Sequence, residues 1–375
     1  IGALLAWIRA EDPLTHHMSR GRIFLASILL IVSSALAAET ETFLVGSVDS
    51  QVPRQEAFFL LNKDSRLVLS VVLMKQGQMY SSLDSYDAQG GRQAVANRLP
   101  AHMGISWYQI KPKLKEYSNL WKRDHPDVGD IHLEPIEYEK VTIAGCRGQD
   151  SLDLSKALPS NEIGTFYFGV EFEGVPDPLP PRAEGLSESS PLHLKYRYRI
   201  VQVVRREDDS YLGYLTELFG TPFVIGPRMT DQAVHETDAR MGSDCAAFAI
   251  YGKRRQGFQV PYCGPLWIYR YLSAIVGSPL RPIPFEQTEV YVTPDNRPIR
   301  VGPGGLQAGD IVHFGEQVSV FYRDAGIIGL LDKDDLLFQC YGSQPTITTV
   351  KDCGFYHLPA RVYKWKEDLK RMPRG

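Results

Sequence analysis

The sequence predicts an α+β chain of two domains: an all-β, sandwich-like unit over residues 39–206, then over 207–375 a unit of helices followed by a small antiparallel sheet. Two observations carry this. In the first half Phe166, Phe168, Val170 and Phe172 alternate with Tyr167, Gly169, Glu171 and Glu173. Leu194, Tyr196, Tyr198 and Ile200 then alternate with Lys195, Arg197 and Arg199. Period two is that of a strand with one buried and one solvated face. After the charged break at residues 205–210 the apolar spacing changes to about 3.6, beginning with Leu212, Leu215, Leu218 and Phe219, so the domain boundary falls at that break.

Ahead of the first domain, Arg20 and Arg22 supply a short basic stretch, Ile23 to Val32 an apolar one, and Ala35, Leu36 and Ala37 a small-residue cleavage signal. Residues 18–38 therefore read as a secretory signal peptide, with 1–17 as upstream translated sequence. The apolar run falls short of the ~20 residues that span a bilayer, so no stable membrane span is expected after cleavage. The expected location is secreted, periplasmic or extracellular.

Residues 39–375 are long enough for two domains of ordinary size. With 41 basic against 44 acidic residues the net charge is -3, which points to neither nucleic acid nor an anionic membrane as partner. Disulfides are permitted in an exported chain, but the 5 cysteines are too sparse to be its framework. No CxxC or Cys/His ligand spacing occurs, so neither a metal nor any other cofactor is expected.

Further β-rich runs at 42–48, 57–61, 66–74 and 131–143 complete the sandwich, and the Pro- and Ser-rich stretch 175–190 is a loop between two of its strands. In the second domain the first helix ends at Gly220. A second begins at Cys245 and stops near Gly257. A third opens at Pro265, with Ile268, Leu272 and Ile275 on one face and Gly277 past its end. After a Pro-rich connection, 281–305, strands follow near 309–314, 318–322, 336–341, 346–350 and 361–365.

Cys245 is the candidate nucleophile. Capped by Ser243 or Asp244, it stands in the first turn of its helix, where unpaired amides and the dipole lower a thiol pKa. The same segment also reads as core, because free cysteine is among the most buried residue types and Ala246, Ala247 and Phe248 follow it.

Leu218-Phe219-Gly220-Thr221-Pro222-Phe223, Asp244-Cys245-Ala246-Ala247-Phe248 and Ala308-Gly309-Asp310-Ile311-Val312-His313-Phe314, in that order, resemble the NlpC-like, papain-like cell-wall cysteine peptidases over residues 211–365. The resemblance implies a papain-like second domain with Cys245 as nucleophile, Gln339 as the orienting polar residue, and Asp244 facing the free amine of a cell-wall peptide. Phe223 stands at the family's substrate-side tyrosine, and Ala246 replaces a serine. The family's catalytic histidine maps onto Gln317. A neutral amide can neither take the thiol proton nor hold an imidazolium beside a thiolate, so activity would be weak or lost.

His313 is the candidate substitute base. In a tight two-residue hairpin Phe314 pairs with Gln317, His313 lies across from Val318, and its ring takes the sheet face opposite Gln317. His235 lies in a polar loop before the Cys245 helix. The loops 227–242 and 281–305 would flank the cleft.

Gly302-Pro303-Gly304-Gly305 reads as a turn rather than a phosphate loop, residues 332–335 as a solvated turn rather than an EF-hand, and the Asp/His run 124–132 as a loop. Three functions remain open at this level: an exported cysteine hydrolase on cell-wall peptides, a catalytically inactive envelope protein that binds such a peptide or a protein partner, and an amidase or acyltransferase on another amide.

Overall fold

The computed structural model describes residues 40–100, 103–113, 138–159, 161–173, 200–229 and 233–372. The signal-peptide region, the run 124–132 and the expected strand ending at Ile200 lie largely or wholly outside them.

Among the described residues the first half holds eleven strands: β1 (Thr40–Val48), β2 (Phe58–Asn62), β3 (Leu67–Lys75), β4 (Gln78–Ser81), β5 (Ser85–Ala88), β6 (Gly91–Ala94), β7 (Ile105–Pro112), β8 (Tyr138–Thr142), β9 (Ser151–Asp153), β10 (Gly164–Phe172) and β11 (Ile200–Arg206). One sheet runs β1-β3-β4, with β9 also on β3; the other runs β2-β11-β10-β7-β8, and β5 and β6 pair as a hairpin. Only β2 and β11 run parallel among these pairings. Leu44, Leu69 and Val71 of one sheet meet Phe59, Trp107, Phe168 and Val203 of the other in a shared core. Trp107 lies fully buried there because its indole N–H finds the carbonyl of Gln149 at 2.9 Å.

Alternation in β10 predicts one wet face, yet both faces are buried. The second half covers the outer one. Tyr167 donates to the carbonyl of Arg240 at 3.1 Å, Gln202 to that of Ala239 at 3.1 Å, and the Thr165 amide to Phe219 O at 2.8 Å. Gly164, at φ +133°, lies so close to Phe219 that a Cβ would stand 2.4 Å from its carbonyl oxygen.

The second half contains α1 (Tyr211–Thr216), α2 (Cys245–Arg255), the strands β12 (Leu272–Ala274), β13 (Arg281–Phe285), β14 (Thr288–Val292), β15 (Ile311–His313), β16 (Val318–Arg323), β17 (Leu336–Gln339), β18 (Thr346–Thr349) and β19 (Arg361–Trp365). A six-stranded antiparallel sheet orders them β12-β19-β15-β16-β17-β18. On one face α2 packs through Phe248 and Ala249 onto Val318, Val320 and Phe338. On the other, Tyr291, Ile299 and Leu306 cover Val312, Phe314 and Leu337.

The α+β expectation, with a papain-like second domain of helices and a small sheet, is overturned. Of the described residues 42 % are strand and 10 % helix, with two α-helices among them. The helix expected from Pro265 is a single 3-10 turn, Ile268–Tyr271, that passes straight into β12, because Leu272 to Ala274 find hydrogen-bonding partners on β19. The Pro-rich connection folds as the β13–β14 hairpin, its prolines Pro282 and Pro284 on a two-stranded ribbon where missing N–H groups are tolerated.

The charged break at 205–210 is no free tether. Arg205 is buried and donates to the carbonyls of Pro159 and Glu162 at 3.1 and 3.3 Å. Arg206, Arg240 and Arg255 converge on the fully buried carboxylate of Glu217 at 3.2, 3.0 and 3.0 Å, joined by the Tyr251 hydroxyl. Burial alone would raise the pKa of Glu217, but Arg240 and Arg255 hold it below the usual carboxylate value.

Candidate functional site

Asp244 is the N-cap of α2: its backbone is extended and its Oδ1 accepts the Ala247 amide at 2.7 Å. Cys245 is thus the first helical residue. The thiol is not the activated one that this position implies. Cys245 is 4 % exposed, packed among Phe248, Val318 and Cys340, and its Sγ lies 3.9 Å from the carbonyl oxygen of Glu316. Burial, and then the neighbouring Asp244 carboxylate, push its pKa up to about 12, against the smaller pull of the Val318 and helix amides. At pH 7 the thiol is therefore held protonated.

The two-residue turn between β15 and β16 is present, with the Phe314 amide donating to Gln317 O at 2.9 Å. His313 pairs with Val318 and therefore shares the face of Ile311 and Val320, which α2 covers. Its ring is fully engaged. Nδ1 accepts the Gly315 amide at 3.1 Å, which puts the proton on Nε2, and Nε2 donates to Pro265 O at 3.0 Å. Burial lowers its pKa further, so neither nitrogen is left to serve a thiol.

Strand alternation puts Gln317, Ser319 and Gln339 on the other sheet face, that of Phe314, Phe321 and Leu337. All three are buried, and Gln317 Oε1, Ser319 Oγ and Gln339 Oε1 have no hydrogen-bond partner among the described residues. Gln317 Nε2 donates to Val318 O at 3.1 Å. The hydrogen bonds of the described residues link neither glutamine to Cys245. Phe223 is buried, bridged to Ser243 and packed on the Tyr341 ring at 5.7 Å.

Asp244 does reach a groove of about 780 Å³, whose other walls are Gly226 to Met229, Ala233 to His235 with Asp238, Arg254 of α2 and the stretch Tyr262 to Gly264. Its floor is preorganised. His235 stacks on Tyr262 at 3.7 Å, the Tyr262 hydroxyl donates to Asp238 at 2.6 Å, and Arg254 closes an ion pair with Asp238 at 2.9 Å. His235 is held neutral, its pKa lowered by burial to about 4. Three backbone amides, of Ala246, Ala247 and Gly226, orient the Asp244 carboxylate, whose pKa is nonetheless raised by burial. Of the loop 227–242, the described residues Pro227 to Met229, Ala233 to His235 and Asp238 line the groove, whereas 281–305 packs on the far side of the sheet and does not.

Comparison with known proteins finds no matching family model, curated protein or solved structure.

Two neighbours of the site escape a reading for motifs. Cys340 lies against Ser243, its thiol 3.1 Å from Ser243 O, because alternation from Phe338 turns it onto the α2 face. Cys263 lines the groove beside Asp244, and burial raises its thiol to about 11. The position two residues after Phe338 signals the first; no local pattern signals the second. All five cysteines are free. Residues 332–335 are not a solvated turn. Asp332 and Asp335 are buried, and their carboxylates accept backbone amides of the 325–334 loop.

Proposed function

We propose that the chain is a non-catalytic envelope protein that binds a cell-wall peptide by seating its free amino group against Asp244. The observation that supports this is the state of Cys245: buried, held protonated, with glutamine in the base's place and the candidate substitute base, His313, already engaged at both nitrogens. A hydrolase needs a thiolate or a base to make one. A binder needs a rigid groove with one oriented charge, which the Asp238-locked floor and the amide-held Asp244 supply.

Two measurements test the reading. Alkylation of Cys245, mapped by mass spectrometry to separate it from Cys263, is expected to stay slow below about pH 10. Fast alkylation below pH 8, lost in Cys245→Ala, would restore the hydrolase. In titration calorimetry a short cell-wall peptide with a free α-amine is expected to bind, with the loss of about tenfold or more on acetylating that amine or on Asp244→Asn. Equal affinity of the free and acetylated peptides would refute the amine seat.

A further inference from the structure

The groove has an unusual rim. Met229 is 60 % exposed on one lip, next to Val234, while Leu266 at 56 % and Trp267 at 55 % project from the turn that starts at groove-lining Gly264. Such a concentration of exposed apolar side chains marks a contact surface. It is also rigid. The Trp267 amide bonds to Gly264 O at 2.9 Å, the Arg270 amide to Trp267 O at 3.2 Å, and Lys366 Nζ to Arg270 O at 2.8 Å. The apolar side chains are held outward by this backbone and do not fold back over the groove.

Each lip also carries a cation. Arg228 precedes Met229, and the Arg270 guanidinium lies 4.3 Å from the centre of the Trp267 ring. Both arginines are exposed, and neither forms an ion pair with a carboxylate of a described residue. The carboxylates of this region are engaged within the groove, Asp238 by Arg254 at 2.9 Å, Asp244 by the Ala247 amide at 2.7 Å and Glu236 by the Arg228 amide at 2.8 Å, whereas the two guanidinium groups lie exposed on its lips.

We infer that this rim is a docking surface for a lipid bilayer with anionic headgroups. Leu266, Trp267 and Met229 enter the headgroup–acyl boundary, and Arg228 and Arg270 meet lipid phosphates. Sugar rings are the poorer fit, because they stack on flat aromatic faces. Arg270 covers one face of Trp267, and Tyr269 packs against His313 and Tyr363 at 5.1 and 6.1 Å. What protrudes is Met229, Leu266 and a Trp267 ring with one face covered, flanked by two cations, as an interfacial anchor requires.

The test is co-sedimentation of the chain beginning at Glu39, which excludes the apolar 23–38 run, with vesicles of phosphatidylcholine alone or mixed with phosphatidylglycerol. Binding is expected only to the mixed vesicles and is expected to weaken with salt. Arg228→Gln with Arg270→Gln should cut it about thirtyfold, and Leu266→Ser with Trp267→Ser should abolish it, each double variant keeping the parent's circular dichroism. Asp244→Asn should bind vesicles like the parent, so failure of the peptide seat and failure of the lipid surface are separable. Equal binding to both vesicle types, binding to neither, or unchanged binding by either double variant would overturn the proposal. So would Trp267-dependent retention on insoluble glycan in place of vesicles.

Discussion

At Cys245 two rules of thumb oppose each other, and magnitudes decide between them. The first-turn amides and helix dipole offer about 0.3–1 kcal/mol at an exposed site. Withdrawing a thiolate from water into a cluster of aromatic and branched side chains costs several times that. The sequence shows the helix start but not the depth of burial, because depth depends on Val318, Phe338 and Cys340, which lie about 70 to 95 positions further along the chain. The helix start at Asp244 and Cys245 was thus legible, and the burial that holds the thiol protonated was not. His235 allows a direct test of burial. Its pKa is lowered to about 4 in the folded chain against an unfolded value near 6.5, so its stabilising effect is complete above pH 6.5 and lost as pH falls to about 4. The full effect is at most about 3 kcal/mol. Asp335, raised by burial to about 7, acts in the opposite direction, losing stability as pH rises from about 4 to 7. The separable quantity is a difference: the urea midpoint of the parent minus that of His235→Phe is expected to shrink between pH 6.5 and 4. A difference that stays constant over that window would show that the imidazole does not titrate against folding.

At the scale of elements, legibility followed the strength of the local pattern. Strands near 42–48, 66–74, 318–322, 336–341 and 361–365 stand where alternation places them, and α2 begins at the predicted cap. The segment 265–277 misled because Ile268, Leu272 and Ile275 satisfy a helical spacing while the chain also supplies aromatic and β-branched residues suited to a strand; pairing with β19 decided the outcome. The β13–β14 hairpin was masked by its prolines. Cap and groove coincide at Asp244, and that makes α2 testable as an element. Asp244→Ala removes the acceptor for the Ala247 amide and should cost about 1 kcal/mol, read as a lowered denaturation midpoint with an unchanged m-value. Asp244→Ser retains an N-cap acceptor and should recover most of that stability, but not the negative charge in the groove. No loss in Asp244→Ala would mean that tertiary packing alone sets the helix start.

For the whole molecule the decisive contacts cross the charged break. A run such as Arg205-Arg206-Glu207-Asp208-Asp209 reads locally as solvated; only the fold reveals that Arg206 reaches Glu217 and that both faces of β10 are covered. Sequence periodicity reports which residues are apolar, not which polar ones will be sealed between two halves. Glu217 offsets three guanidinium groups at this seam, so Glu217→Gln keeps the shape and leaves them uncompensated. The expected cost is about 3–5 kcal/mol, and because Arg206, Arg240 and Arg255 come from both halves, tryptophan emission and far-ultraviolet dichroism should lose the same amount with coincident transitions. Two separated transitions in the parent would mean that the seam does not couple the halves.

The parallel pairing of β2 with β11 imposes an order on chain emergence. β11 lies between β2 and β10 in the interior of its sheet, yet it is the last described strand of the first half to be made. As the polypeptide grows from its N-terminus, both neighbours wait with open edges until residue 206 has left the ribosome, and the next residues made are those that seal the outer face of β10. That sheet therefore cannot be completed before β11 is made, and the outer face of β10 stays unsealed until Phe219, Ala239 and Arg240 of the second half are in hand.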